Sequence, residues 1–318
     1  MVDWLFERFC IQNELKKFDG NHYKKEVLKI FGILPEALEW FSFLEVISLF
    51  FGGFLFASGM IFFIASNWEN LGKFFKFFLV EGIILISILL WFKNKERLFG
   101  KISLMVAFIL LGGLLALIGQ VYQSDANSWE LFFYWAMLGI FWVVAGYFEP
   151  LWILWIIVSN VAIFLFVNTS FHIFAINRLS LDIITLWNII LLAIFEILNL
   201  LKSYPTKILS RFLATIVIIA VSLGELDTIF SHHYPFYALY FIVLAGAIYY
   251  FLYKDIYIVL ISVLSLNITI LIMVARWLFR IRGIDYLFLF FFMSIFSIFL
   301  AFVTIEWLKT LRNSERIK

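Results

Sequence analysis

The sequence holds one cysteine, four prolines and a charged fraction of only 14%. A single cysteine, Cys10, excludes an intramolecular disulfide and offers no partner for a cysteine-based metal site. Soluble domains carry about 25% charged residues, so this chain has too few charges to coat a water-facing fold of its length. The catalytic signatures are missing as well. There is no His-Glu-x-x-His helix for zinc, no Gly-x-Ser-x-Gly elbow and no phosphate-cradling glycine loop. His232 and His233 are adjacent, so their side chains diverge on any helix and suit a metal poorly. The first forty residues mix acids and bases with no central apolar run, unlike a cleavable signal peptide. The expectation is a chain that is not an enzyme and binds no cofactor.

What the chain has in abundance is apolar surface. Hydrophobic residues make up 64% of it and phenylalanine alone accounts for 41 positions, against about 45–50% apolar in soluble domains. Exposed to water, that surplus would drive aggregation. A bilayer is itself an apolar solvent and removes the problem. Ten runs approach the ~20 residues that cross a ~30 Å hydrocarbon core: 41–66, 74–92, 102–122, 130–148, 151–167, 183–201, 208–226, 236–253, 256–275 and 284–308. Pro35, Pro150, Pro205 and Pro235 all fall at or between these ends, where proline is least disruptive. The tightest boundary separates the fourth and fifth runs at Gly146–Pro150.

Lysine and arginine set the orientation. With the N-terminus inside, the cytoplasmic segments hold 18 of these residues and the outer loops 6, as the positive-inside rule requires. The fold expected is therefore all-α: a polytopic transmembrane helix bundle of about ten spans, both termini cytoplasmic, in a bacterial cytoplasmic (inner) membrane. Residues 1–40 form a short amphipathic helical arm, with residues 1–34 a possible docking surface for a protein partner. Residues 41–148 form a four-helix transmembrane unit, residues 149–308 a six-helix unit, and residues 309–318 a basic tail. The arm breaks at Asp19-Gly20 into two short helices. Lys309, Arg312, Arg316 and Lys318 anchor the tail to anionic lipid. Nothing suggests nucleic-acid binding, and the bilayer is the one partner that composition demands.

An internal echo marks the four-helix unit. Gly52, Gly53 and Gly59 recur sixty positions later as Gly112, Gly113 and Gly119, on spans running in the same direction. A duplicated helical hairpin would produce this, and so would the general use of small residues for close membrane-helix packing. Each glycine run leads to a polar–aromatic exit, with Ala65, Asn67 and Trp68 after the first and Gly119, Gln120 and Tyr122 after the second, and Trp135 on the next span. In these motifs the chain resembles the bacterial predicted-membrane-protein family known as domain of unknown function 2157, over roughly residues 1–150. The resemblance implies a multipass membrane protein and brings no established activity.

The topology sets Asn67, Trp68, Gln120 and Tyr122 at one outer membrane level, where they could bind a ligand head group. Helix capping and interfacial anchoring account for the same residue types. Glu81 is the deepest acid, about 10 Å inside its span, and should face protein or water as a candidate proton or cation site. Asn160, Asn188 and Asn267 are mid-span amides suited to gluing helices together. Two functions fit these residues: a small transporter or flippase-like protein with an outward polar cluster and a buried Glu81, or a non-transporting scaffold or accessory subunit of an envelope complex.

Overall fold

The structure, a computed structural model, describes residues 37–123, 125–170, 178–200, 207–231, 238–251, 255–279 and 286–315. Residues 1–36 of the arm proposed at 1–40, the His232-His233 pair and the last three residues lie outside them, while residues 37–40 open the first described helix. The regular structure of the described residues is helical throughout. The helices are α1 (Ala37–Ser66), α2 (Lys73–Lys93), α3 (Leu98–Val121), α4 (Ser128–Gly146), α5 (Glu149–Ser170), α6 (Arg178–Leu200), α7 (Lys207–Ser231), α8 (Ala238–Phe251), α9 (Ile256–Phe279) and α10 (Tyr286–Glu315). They follow the ten apolar runs in order. Nine of them are long and apolar enough to cross a membrane. The exception is α8, whose 14 described residues rise about 21 Å, short of the ~30 Å core.

The fourth and fifth spans are separate helices. Helix α4 stops at Gly146, Tyr147 turns left-handed at φ 45°, and α5 starts at Glu149. A left-handed tyrosine is held at a cost of about 1–2 kcal/mol. It is what allows two long helices to meet across two residues. Phe148 then accepts from the amides of Leu151 and Trp152, and Pro150 sits in the first turn, where its missing N–H leaves no helical bond unmade.

The chain divides into two compact units, Met1–Leu117 and Ile118–Lys318. In the first unit the two glycine runs join α1 to α3. A Cβ on Gly53 would lie 2.7 Å from Ile102 of α3, and one on Gly113 would lie 3.0 Å from Ile61 of α1. Each helix thus presents a glycine to an isoleucine of the other, and van der Waals contact replaces the hydrophobic drive that lipid cannot supply. In the second unit α4 packs broadly on α5 and α6 on α7, while α9 contacts α7, α8 and α10. Trp155 Nε1 crosses from α5 to donate to the Ala136 carbonyl of α4 at 2.8 Å. Asn160 and Asn188 pair reciprocally between α5 and α6 at 3.2 and 2.6 Å, and Asn267 of α9 donates to Thr304 of α10 at 2.8 Å. The three amides act as interhelical glue.

Phenylalanine lies largely on the outside. Phe288, Phe292, Phe296 and Phe299 stack in series along α10. Helices α1 and α10 bury very little of their spans, whereas α3 and α7 bury more than half. The outer helices meet lipid.

Candidate functional site

Asn67 ends α1 by turning back on it. Its Nδ2 donates to the Phe63 carbonyl at 2.9 Å and to Ser66 Oγ at 3.1 Å, and its own carbonyl accepts from Asn70 and Leu71. This is a helix C-cap built from a side-chain amide. Trp68 is half-buried and carries the Lys76 ammonium 3.5 Å from its ring centroid. Lys76, in the first turn of α2, is only 5% exposed. Burying a cation is expensive without a counter-charge, and the tryptophan face supplies part of the compensation.

Glu81 lies on the exposed side of α2, one turn from Phe78 and Leu85, which are 73% and 58% exposed. Gln120 and Tyr122 stand at the finish of α3, both exposed. They belong to the second unit, and Asn67, Trp68 and Glu81 to the first.

The second unit contains a polar arrangement that the sequence analysis does not single out. On α9, Ser262, Ser265 and Thr269 are 0%, 9% and 2% exposed, a hydroxyl stripe at spacings of three and four that shares one helix face. Tyr240 of α8, fully buried, places its hydroxyl 2.8 Å from Thr269 and 3.1 Å from Ser265. Ser265 also meets Ser222 of α7 at 2.7 Å. One turn further along α7, Glu225 is 0% exposed and Thr228 is 2% exposed. Arg178, at the start of α6, acts through its charge on both Asp182 and Glu225. Thr185 of α6 is 0% exposed, and its hydroxyl makes no hydrogen bond among the described residues.

The opposite end of the same helices is ionic. Arg211 of α7 grips Asp255 with two bonds, Nε to Oδ2 at 2.7 Å and Nη2 to Oδ1 at 3.1 Å. Asp255 Oδ1 also accepts the Tyr257 amide at 3.0 Å and so caps α9. Glu196 of α6 accepts from Ser210 at 2.7 Å and from Tyr250 at 3.2 Å. Asp255 and Thr269 are separated by about 21 Å along α9. The ~10 Å between Asp255 and Ser262 is filled by an apolar cluster that includes Ile258, Val259, Ile218, Leu244 and Phe251. A polar layer, an apolar plug and an ionic clamp follow one another along α7–α9. Among the described residues no group of three or more His, Cys, Asp or Glu is gathered to hold a metal.

Residues 36–152 match the family described as a predicted membrane protein, domain of unknown function 2157. No curated protein and no solved structure matches the chain. The family segment covers just over a third of the sequence, from just before α1 to the first turn of α5, and it takes in only the last residues of the arm proposed at 1–40. Every sequence-derived site residue falls inside it. The Glu225 layer and the Arg211–Asp255 clamp fall outside the family segment.

Together the family match and the nine apolar helices make this a membrane-embedded, multi-pass protein. What the family segment contributes is architecture: paired glycines, a capped helix end and a buried lysine on a tryptophan.

Proposed function

We propose that the chain is a transport protein of a bacterial cytoplasmic membrane, with both termini cytoplasmic, and that it moves protons along the polar layer of its second unit. It is not an enzyme in this reading and uses no cofactor. The observation that carries the proposal is the complete burial of Glu225 beside a row of hydroxyls from three helices. Ionisable groups inside membrane spans are rare and mark ion or proton paths by default. Glu225 lies four positions before the end of its span at Ile229, about 6 Å inside. Thr269 and the start of Tyr240's helix lie near that depth, and Ser222 and Ser265, which meet each other, lie about one turn nearer the middle. Hydroxyls both donate and accept, which a proton relay needs. The apolar plug and the Arg211–Asp255 clamp would close the other end, as hydrophobic constrictions do in channels.

The test is proton flux into vesicles containing the purified full-length chain and a pH-sensitive dye, under an imposed potential. Wild-type protein is expected to acidify the lumen faster than protein-free vesicles. Glu225→Gln should abolish the difference without altering elution volume or unfolding temperature. Undiminished flux in E225Q would sink the proposal, as would wild-type flux no faster than the lipid alone.

One observation favours the scaffold or accessory-subunit reading, namely Glu81 on an outward apolar face. A carboxyl group facing hydrocarbon gains from a partner helix that offers a donor. In that reading, deleting residues 1–34 or introducing Glu81→Leu strips a co-purifying membrane protein from the chain, while E225Q leaves it bound. Retention through both changes would end the scaffold idea.

A further inference from the structure

Helices α6 and α8 both pack on α7 and leave a lateral groove between them. The groove encloses about 480 Å³, within the ~300–1,000 Å³ of small-molecule sites. Its walls are Leu192, Ala193 and Ile197 from α6 and Val243, Gly246 and Ala247 from α8, over a floor supplied by α7. A Cβ built on Gly246 meets nothing within 4 Å among the described residues, so the groove is open at that point.

The groove is apolar along its length and polar at one end. Glu196 sits there, four positions before the finish of the α6 span at Leu200 and so about 6 Å from it. The apolar walls run back from Glu196 as far as Ile189 and from Tyr250 as far as Ile242, about 10–12 Å toward mid-membrane. The Glu196 carboxylate thus lies near the end of its span, within reach of a headgroup, with an apolar channel running from it toward the middle. Ser210 and Tyr250 take one bond on each of its oxygens. An ionised carboxylate has about four acceptor positions, which leaves capacity for a cationic donor. Lys207, exposed and one turn before Ser210 on α7, is placed to meet an adjacent phosphate.

We infer that this groove binds one acyl chain of a zwitterionic aminophospholipid, with the primary ammonium on Glu196 and the phosphate toward Lys207. The negative charge disfavours anionic headgroups. The need for N–H donors disfavours a quaternary ammonium, which has none to give. A second apolar cavity of about 430 Å³, between α4, α5 and α6, is lined by Trp129, Phe133, Trp155 and Trp187 and has no ionisable group. It serves as the internal control, because any lipid there should show no headgroup preference. The inference is independent of proton movement and stands or falls without it.

The experiment uses the purified full-length chain in detergent, mixed separately with dioleoyl phosphatidylethanolamine, phosphatidylcholine and phosphatidylglycerol. Native mass spectrometry reads the lipid retained. Phosphatidylethanolamine should be held about tenfold more strongly than the other two by wild-type protein, the scale of one charge-assisted hydrogen bond. Glu196→Gln should erase that preference while leaving some retention of all three. Gly246→Phe, which fills the groove with a ring, should remove the preferred adduct and leave elution volume and unfolding temperature unchanged. Equal retention of the three lipids by wild type means annular lipid only and overturns the inference. So does a preference that survives either E196Q or G246F.

Discussion

The first unit meets its helix ends with polar side chains that bond to nearby backbone or rings, whereas the second carries polar groups through its interior. Asn67 caps α1 and Lys76 rests on Trp68, and between them α1 and α3 touch through glycine and isoleucine. In the second unit, amides, hydroxyls and an ion pair link α5 to α6, α7 to α9, and α9 to α8 and α10. The contrast follows from what lipid allows. Apolar helices gain nothing from one another by the hydrophobic effect in a bilayer, so they associate through close packing or through hydrogen bonds. One unit relies mainly on packing and the other adds hydrogen bonds.

Breaking each device should therefore give a different size of effect. The largest is expected at the clamp. Arg211→Ala leaves Asp255 at 8% side-chain exposure without its counter-charge and should lower stability by about 3 kcal/mol, measured as thermal unfolding in detergent. Asp255→Asn together with Arg211→Ala should recover part of that loss. In the first unit, Trp68→Leu strands the buried Lys76 cation and should cost about 2 kcal/mol. Lys76→Met should cost less, since methionine fills the same space without a charge. If K76M proves the worse of the two, the ring is not what stabilises the lysine.

The amide pair comes next. Asn160→Leu or Asn188→Leu should each cost about 1 kcal/mol, and the double variant less than the sum because they remove one shared interaction. The smallest and sharpest test lies on neighbouring residues of α1. Gly53→Ala drives a methyl into Ile102 and should destabilise by about 1 kcal/mol. Gly52→Ala meets open space and should be neutral or stabilising by ~0.5 kcal/mol. Equal effects would mean that the glycine contact does not hold α1 to α3.

Helix number and order were legible in the sequence because an apolar run is a one-dimensional property, although α8 is described over too few residues to count as a tenth span. So was the break at Gly146–Pro150, where proline and glycine crowd together. The interhelical role of Asn160, Asn188 and Asn267 was legible too, since a mid-span amide must find a partner. Glu225 was not. It falls at the penultimate position of its apolar run and resembles an end-of-span acid reaching water. Its burial depends on how α6 and α8 flank α7, which spacing along one helix does not encode. Lys76 was missed for the same reason, because its partner Trp68 lies across the loop between α1 and α2. Ser262, Ser265 and Thr269 did carry a helical period. Isolated small hydroxyls in a membrane span are common enough that the pattern gains meaning only once Tyr240 and Ser222 are seen against it.

The turn at Tyr147 bears on how the protein is made. Two residues between α4 and α5 give the nascent chain no slack to release one helix into lipid while the other waits in the translocation channel. The pair must leave the channel together as a hairpin, and the direction taken by α4 dictates that of α5. Lengthening the connector by a flexible glycine–serine segment would uncouple the two insertion events, and a glycosylation acceptor placed in that segment would report which side of the membrane it reaches.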